Sequence, residues 1–139
     1  MKSYEWFKSF DTGNTVIDAQ HRELLERINQ LATLVGEGKG KDASDKCQEI
    51  QQLLNDHFAE EEDILRAAEF SHLDDHLESH MNTTGRFSHV CSSCDKACLD
   101  NRAGPCIQDM TTIIIHHILG DDMKFKSFLQ IKGLANQTY

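Results

Sequence analysis

Four stretches of this sequence repeat apolar residues every three to four positions, which is the period of an amphipathic α-helix. They run roughly over Val16–Val35, Asp42–Ala68, Ser71–Cys98 and Cys106–Phe128, and the turn Leu99–Pro105 separates the last two. No stretch of five or more residues alternates with the period of a β-strand. Four helices of about 20 residues joined by short connections predict an all-α protein, an antiparallel up-down-up-down four-helix bundle.

Length and charge narrow the class of protein. The 139 residues suit one domain, residues 1–139, with a single modest core. The net charge of −9 argues against nucleic acid as a partner, because phosphate binding needs a concentrated basic surface. No apolar run approaches the ~20 residues needed to cross a bilayer, and the N-terminal segment has no apolar core of a signal peptide. A cytoplasmic location is expected.

Histidines occupy the faces that should form the core. A single histidine on an apolar face is usually a packed, hydrogen-bonded core residue, but several on different helices would leave many buried nitrogens without partners. A shared metal satisfies all of them. Five of the eight histidines lie on the inward stripe of a predicted helix: His21, His57, His76, His80 and His117.

Two carboxylates complete a ligand set. Glu61 lies four residues after His57, one turn along the same helix face, and Asp122 lies five after His117. In an alternating bundle all seven residues fall towards one end. Seven ligands are too many for one tetrahedral zinc and suit two metals bridged by Glu61 and Asp122. The set is rich in histidine and has no Glu-x-x-His motif, so it favours reversible oxygen binding over substrate oxidation.

Four ordered motifs resemble those of the hemerythrin and bacteriohemerythrin family, and an aromatic lead-in at Trp6 also fits. The resemblance implies two iron ions with an oxo or hydroxo bridge and O2 as the ligand. One iron would be bound by His76, His80 and His117, the other by His21 and His57, with Glu61 and Asp122 bridging and Ile118 walling the oxygen pocket. The motifs are Ile17-Asp18-Ala19-Gln20-His21, His57-Phe58-x-x-Glu61-Glu62, His76-x-x-x-His80 and His117-Ile118-x-x-x-Asp122.

Several neighbouring residues compete for ligand positions. His72 lies one turn before His76, but that pairing would leave His80 unused, and His116 lies about 100° round the helix from His117. The five-residue step from His117 favours Asp122 over Asp121. The remaining candidates are expected to be solvated or, for the acidic residues of the second helix, to supply charge around the ligands: Glu60, Glu62, Asp63 and His89.

The five cysteines depart from the family pattern. One interpretation is that they are reduced and fill a core stripe as small apolar residues. A second is a redox role with a reversible disulfide, such as Cys94 or Cys98 with Cys106, because residues one turn apart on a helix bridge poorly. A third is a thiolate metal site from Cys91, Cys94, Cys98 and Cys106. Helix direction places the cysteines, Cys47 included, at the end of the bundle opposite the metals.

The sequence therefore predicts a non-enzymatic oxygen carrier or store. The alternative is a domain that senses oxygen, nitric oxide or redox state and acts on a partner protein or an attached output domain, with the cysteines as a redox element. A di-iron peroxidase or nitric oxide reductase is disfavoured, because no general acid or base is evident outside the ligand set.

Overall fold

The computed structural model describes residues 11–99, 104–117, 120, 126 and 128. Its helices are α1 (Thr15–Gly36), α2 (Gly40–Ala67), α3 (Leu73–Leu99) and α4 (Gly104–His116), and that part of the chain contains no strand. Helix α2 packs against α1 and α3, and α4 packs against the same two helices. The predicted all-α four-helix bundle is confirmed.

Helix α1 begins in a tightly bonded loop. The side chain of Asn14 accepts a hydrogen bond from the Ile17 amide at 3.0 Å, which caps the helix. The buried carboxylate of Asp18 accepts bonds from the Thr12 amide at 2.7 Å, the Thr12 hydroxyl at 2.8 Å and the Gly13 amide at 3.0 Å. These bonds fix the start of the helix only one turn before Gln20 and His21.

The predicted helix ends need small corrections. Helix α2 begins at Gly40, two residues before the predicted start at Asp42, and Lys39 stands at its N-cap without a side-chain hydrogen bond. Gly38 has φ of +73°, a left-handed conformation that residues other than glycine rarely adopt. This residue turns the chain directly after α1, so that α2 begins already at Gly40. Helix α3 begins at Leu73, later than Ser71, because residues 71 and 72 form a turn.

Two separate hydrophobic clusters fill the bundle. The larger contains Leu24 and Ile28 of α1, Ile50 and Leu54 of α2, Phe87 and Cys91 of α3, and Ile107, Met110 and Ile114 of α4. The smaller contains Ile17, Ile64, Leu65 and Phe70, with Val16, Leu73 and Phe128 against it. Along α1 and α3 the small cluster comes first, and along α2 the large cluster comes first, as an antiparallel arrangement requires. The five inward histidines and Glu61 form a polar layer between the two clusters. His21, His57, Glu61, His76 and His80 lie within their helices, and His117 directly follows α4.

No helix in the described part of the chain has the length and apolar character needed to span a membrane. The location of the protein in the cell stays a prediction.

Candidate metal centre

Glu61 lies at the middle of the polar layer and is fully buried. Its Oε1 atom is 2.6 Å from Nε2 of His76 and 2.9 Å from Nε2 of His80. Its Oε2 atom is 3.1 Å from Nε2 of His57, 3.9 Å from that of His21 and 4.0 Å from that of His117. The two oxygens of one carboxylate thus face two different groups of imidazoles.

The ligand atoms form two overlapping groups, within each of which all donor atoms lie within 4.8 Å of one another. The first joins Glu61 to His76 and His80, and the second joins it to His21, His57 and His117. The members are between 0% and 5% exposed, so water cannot solvate them. Burial of so many polar nitrogens around a carboxylate is costly unless they share a ligand or a hydrogen-bond network.

The donor set fits metal ions. Because a metal–imidazole bond is about 2.1 Å long, two donors at right angles on one metal lie roughly 3 Å apart. The Nε2 atoms of His21 and His57 are 3.1 Å apart, and the distances from Glu61 to its nearest imidazoles are similar. Imidazole and carboxylate together suit iron, manganese, copper or zinc. One carboxylate between two imidazole groups can bridge two neighbouring metals.

His117 lies between the two groups. Its ring centroid is 5.3 Å from that of His80 and 6.3 Å from that of His76. The centroids of His57 and His21 are at 5.7 and 5.9 Å. The family resemblance assigns His117 to the metal of His76 and His80, whereas the distances between donor atoms group it with His21, His57 and Glu61. These similar distances leave the assignment as a prediction.

The outer nitrogens of two imidazoles have hydrogen-bond partners. Nδ1 of His57 is 2.7 Å from Oε1 of Gln20, and Gln20 in turn donates its amide N–H to Glu60. Nδ1 of His80 is 2.8 Å from Oε2 of Glu62. Such partners fix the tautomer and the ring orientation of a metal ligand. The expectation that Glu60 and Glu62 supply charge around the ligands is thus met, and a purely solvated role for them is wrong.

Aromatic packing restrains the ligand rings as well. Phe58 stacks on His80 with ring centroids 4.0 Å apart and meets the edge of His117 at 4.8 Å. A surface groove of about 540 Å³ lies beside this stack between α2 and α3. The groove is lined by Asn55, Phe58, Ala59, Glu62, His80, Met81, Thr84, Gly85 and Ser88.

The structure brings six of the eight sequence-predicted site residues together: His21, His57, Glu61, His76, His80 and His117. Asp122 and Ile118 lie outside the described residues, as do Trp6 and Asp121. The side chains of His72, His89 and His116 are exposed, as expected for histidines that bind no metal. The hydrogen bond between Gln20 and His57 was not predicted. In the sequence Gln20 is notable only for its place beside His21, and this place does not indicate a partner 37 residues away.

The cysteines separate into two kinds. Cys47 and Cys91 are buried thiols within the large hydrophobic cluster, as the reduced-core interpretation predicts for them. Cys106 is disulfide-bonded, as the redox interpretation expected. A thiolate metal site that includes Cys106 is therefore wrong for this state of the protein, because a disulfide sulfur carries no thiolate. The side chains of Cys94 and Cys98 lie outside the described residues.

The comparisons with known proteins agree with this geometry. The family model described as hemerythrin HHE cation binding domain matches residues 12–129. A hemerythrin-like protein of Naegleria gruberi is 28% identical over 91% of this chain and 93% of its own length. The hemerythrin of Phascolopsis gouldii is 27% identical over 88% and 90%, respectively. A bacteriohemerythrin of Stenotrophomonas maltophilia is 26% identical over 95% and 84%. No solved structure matches the chain at a comparable level of significance.

Proposed function

The chain belongs to the hemerythrin family of HHE cation-binding domains, and on that premise we propose that it binds O2 reversibly at a non-haem di-iron centre, as a carrier or store. The observation that carries the proposal is the position of Glu61. Its two oxygens face two imidazole groups, so the carboxylate can bridge two irons. Residues 1–139 would form a single domain around this centre.

The proposed ligands follow the family pattern. His76, His80 and His117 would bind one iron, and His21 and His57 the other. Glu61 and Asp122 would bridge the irons alongside an oxo or hydroxo group, and Ile118 would line the oxygen pocket. A di-iron centre supplies the two electrons that reversible O2 binding requires. The protein's contribution is a ligand set made mostly of neutral imidazoles, which stabilise highly oxidised iron less well than carboxylates do.

Exclusion of water from the site supports reversible binding of O2 without a subsequent reaction. The two hydrophobic clusters lie on either side of the polar layer, and every described candidate ligand is at least 95% buried. Two polar side chains next to the candidate ligands are engaged with them: Gln20 with the outer nitrogen of His57, and Glu62 with that of His80. A side chain engaged in this way is not free to protonate bound oxygen, which supports a binding role over an enzymatic one.

One observation favours a second function, that of a sensor. Cys106 is disulfide-bonded while Cys47 and Cys91 remain thiols, so the chain contains sulfur in two oxidation states. A sensor would couple oxygen, nitric oxide or redox state to a partner protein or output domain. If the disulfide belongs to such a device, its reduction will change the O2 affinity. A carrier would keep the same affinity after reduction.

The test is metal analysis followed by anaerobic O2 titration. Protein reconstituted with Fe(II) should hold about two irons per chain, and oxygen should produce an absorption band that disappears when oxygen is removed. His117→Ala should lose this band, while His116→Ala, the same change at the neighbouring exposed position, should keep it. An iron content near one per chain, or spectra unaffected by oxygen, would refute the proposal.

A further inference from the structure

Two of the proposed ligands differ in the charge of the group that holds their outer nitrogen. His80 is held by a carboxylate, that of Glu62, at 2.8 Å. His57 is held by a neutral amide, that of Gln20, at 2.7 Å. A charged partner makes an imidazole a stronger electron donor than a neutral partner does. The two imidazole groups around Glu61 are therefore not equivalent.

The orientation of the Gln20 amide follows from its other neighbour. The amide nitrogen of Gln20 donates to Oε2 of Glu60, since a carboxylate oxygen accepts hydrogen bonds. The amide oxygen then faces Nδ1 of His57, and this nitrogen must carry the hydrogen. As a result Nε2 of His57 is the atom left to bind a metal, 3.1 Å from Oε2 of Glu61.

We propose that Gln20 is a positioning residue that, held by Glu60, fixes the tautomer and ring orientation of His57 and gives that half of the centre a neutral partner. The proposal rests on the ligand role of His57 in the proposed function. Gln20 and Glu60 come from different helices, α1 and α2, and their hydrogen bond joins the two helices next to the polar layer. In this proposal neither residue is a metal ligand.

The test compares variants that differ in hydrogen-bond polarity. Gln20→Leu keeps the size of the side chain and removes the acceptor. The double variant Gln20→Glu with Glu60→Gln exchanges amide and carboxylate, so that the new carboxylate accepts from both His57 and the new amide. Gln30→Leu, the same change at an exposed site of α1, is the matched control.

The first measurement needs no metal. In metal-free protein with ¹⁵N-labelled histidine, wild type should give a slowly exchanging Nδ1–H resonance for His57. Gln20→Leu should lose that resonance, and the exchanged double variant and Gln30→Leu should keep it. Retention of the resonance in Gln20→Leu would overturn the proposal. If Gln20→Leu does not fold, the exchanged double variant decides, since loss of its resonance would overturn the proposal equally.

The second measurement is Zn(II) affinity by competition with a chelator. Gln20→Leu should weaken the binding of one of two zinc ions by about 10- to 100-fold, the usual effect of removing an outer partner of a metal ligand. The double variant should restore the affinity. Equal affinities of Gln20→Leu and Gln30→Leu would overturn the proposal. A wild type that keeps the His57 resonance but binds no pair of metals would instead refute the proposed function alone.

Discussion

The ring of Phe58 lies face to face with the imidazole of His80, with centroids 4.0 Å apart and planes 14° from parallel. Phe58 also belongs to the large hydrophobic cluster, so its side chain contacts both the apolar core and the polar layer. The orientation of His80 is therefore set from two sides, by this stack and by the Glu62 hydrogen bond.

Replacing Phe58 by leucine should destabilise the protein by about 1–2 kcal/mol, because it removes the aromatic pair and leaves a small cavity. Urea denaturation of the metal-free protein measures the effect. Met81→Leu, at a side chain that is 76% exposed, is the control and should change the free energy of unfolding by less than about 0.5 kcal/mol. Equal stability of the two variants would show that the stack contributes nothing.

Replacing Glu61 by glutamine should reduce the iron content from about two per chain to one or less. A neutral amide keeps the volume of the side chain but loses the charge and the two equivalent oxygens that bridge a metal pair. Iron analysis after anaerobic reconstitution gives the result. Glu26→Gln, at an exposed position of α1, should retain the wild-type iron content. Two irons per chain in the Glu61 variant would contradict the bridging role.

Removing the metal should lower the stability of the protein. A ligand present at 100 times its dissociation constant stabilises the folded state by about 2.7 kcal/mol, and the buried imidazoles would come together to bind metal only in the folded bundle. Denaturation curves with Zn(II) and with chelator should therefore have clearly separated midpoints. Coincident midpoints would mean that the polar layer binds no metal in the native state.

Replacing Asp18 by alanine should cost about 2–3 kcal/mol, because three donors from Thr12 and Gly13 lose a buried charged acceptor. Thermal or chemical unfolding checks this value. Asp45→Ala, at an exposed position of α2, should have little effect. If the two variants unfold alike, the Asp18 loop does not stabilise the start of α1.

Counting the thiols tests whether the Cys106 disulfide forms. Because the chain has five cysteines and one disulfide includes Cys106, unfolded protein should react with three equivalents of a thiol reagent, and with five after reduction. Five reactive thiols without reductant, in protein exposed to air, would show that the disulfide does not form.

The convergence of the histidines and Glu61 was predictable because helical period and helix direction place residues by arithmetic. His57 and Glu61, four positions apart, must share a face, and the same holds for His76 and His80. The partners of those ligands were not predictable in this way. Whether Glu62 reaches His80, or Gln20 reaches His57, depends on side-chain rotamers and on how closely two helices approach. The start of α2 at Gly40 depended on the backbone conformation of Gly38, which spacing alone does not give.

The polar layer separates the two hydrophobic clusters, and this separation determines which end of the bundle unfolds locally when the metals are absent. The large cluster draws on all four helices and contains none of the candidate ligands. The small cluster rests on Ile17, Ile64, Leu65 and Phe70, and among the described residues the histidines and Glu61 lie between it and the large cluster. Backbone amides at the small-cluster end should therefore exchange with deuterium much faster when the metals are absent. Amides of the large cluster should exchange at nearly the same rate in both states, so that hydrogen exchange at one end of the bundle reports whether the metals are bound.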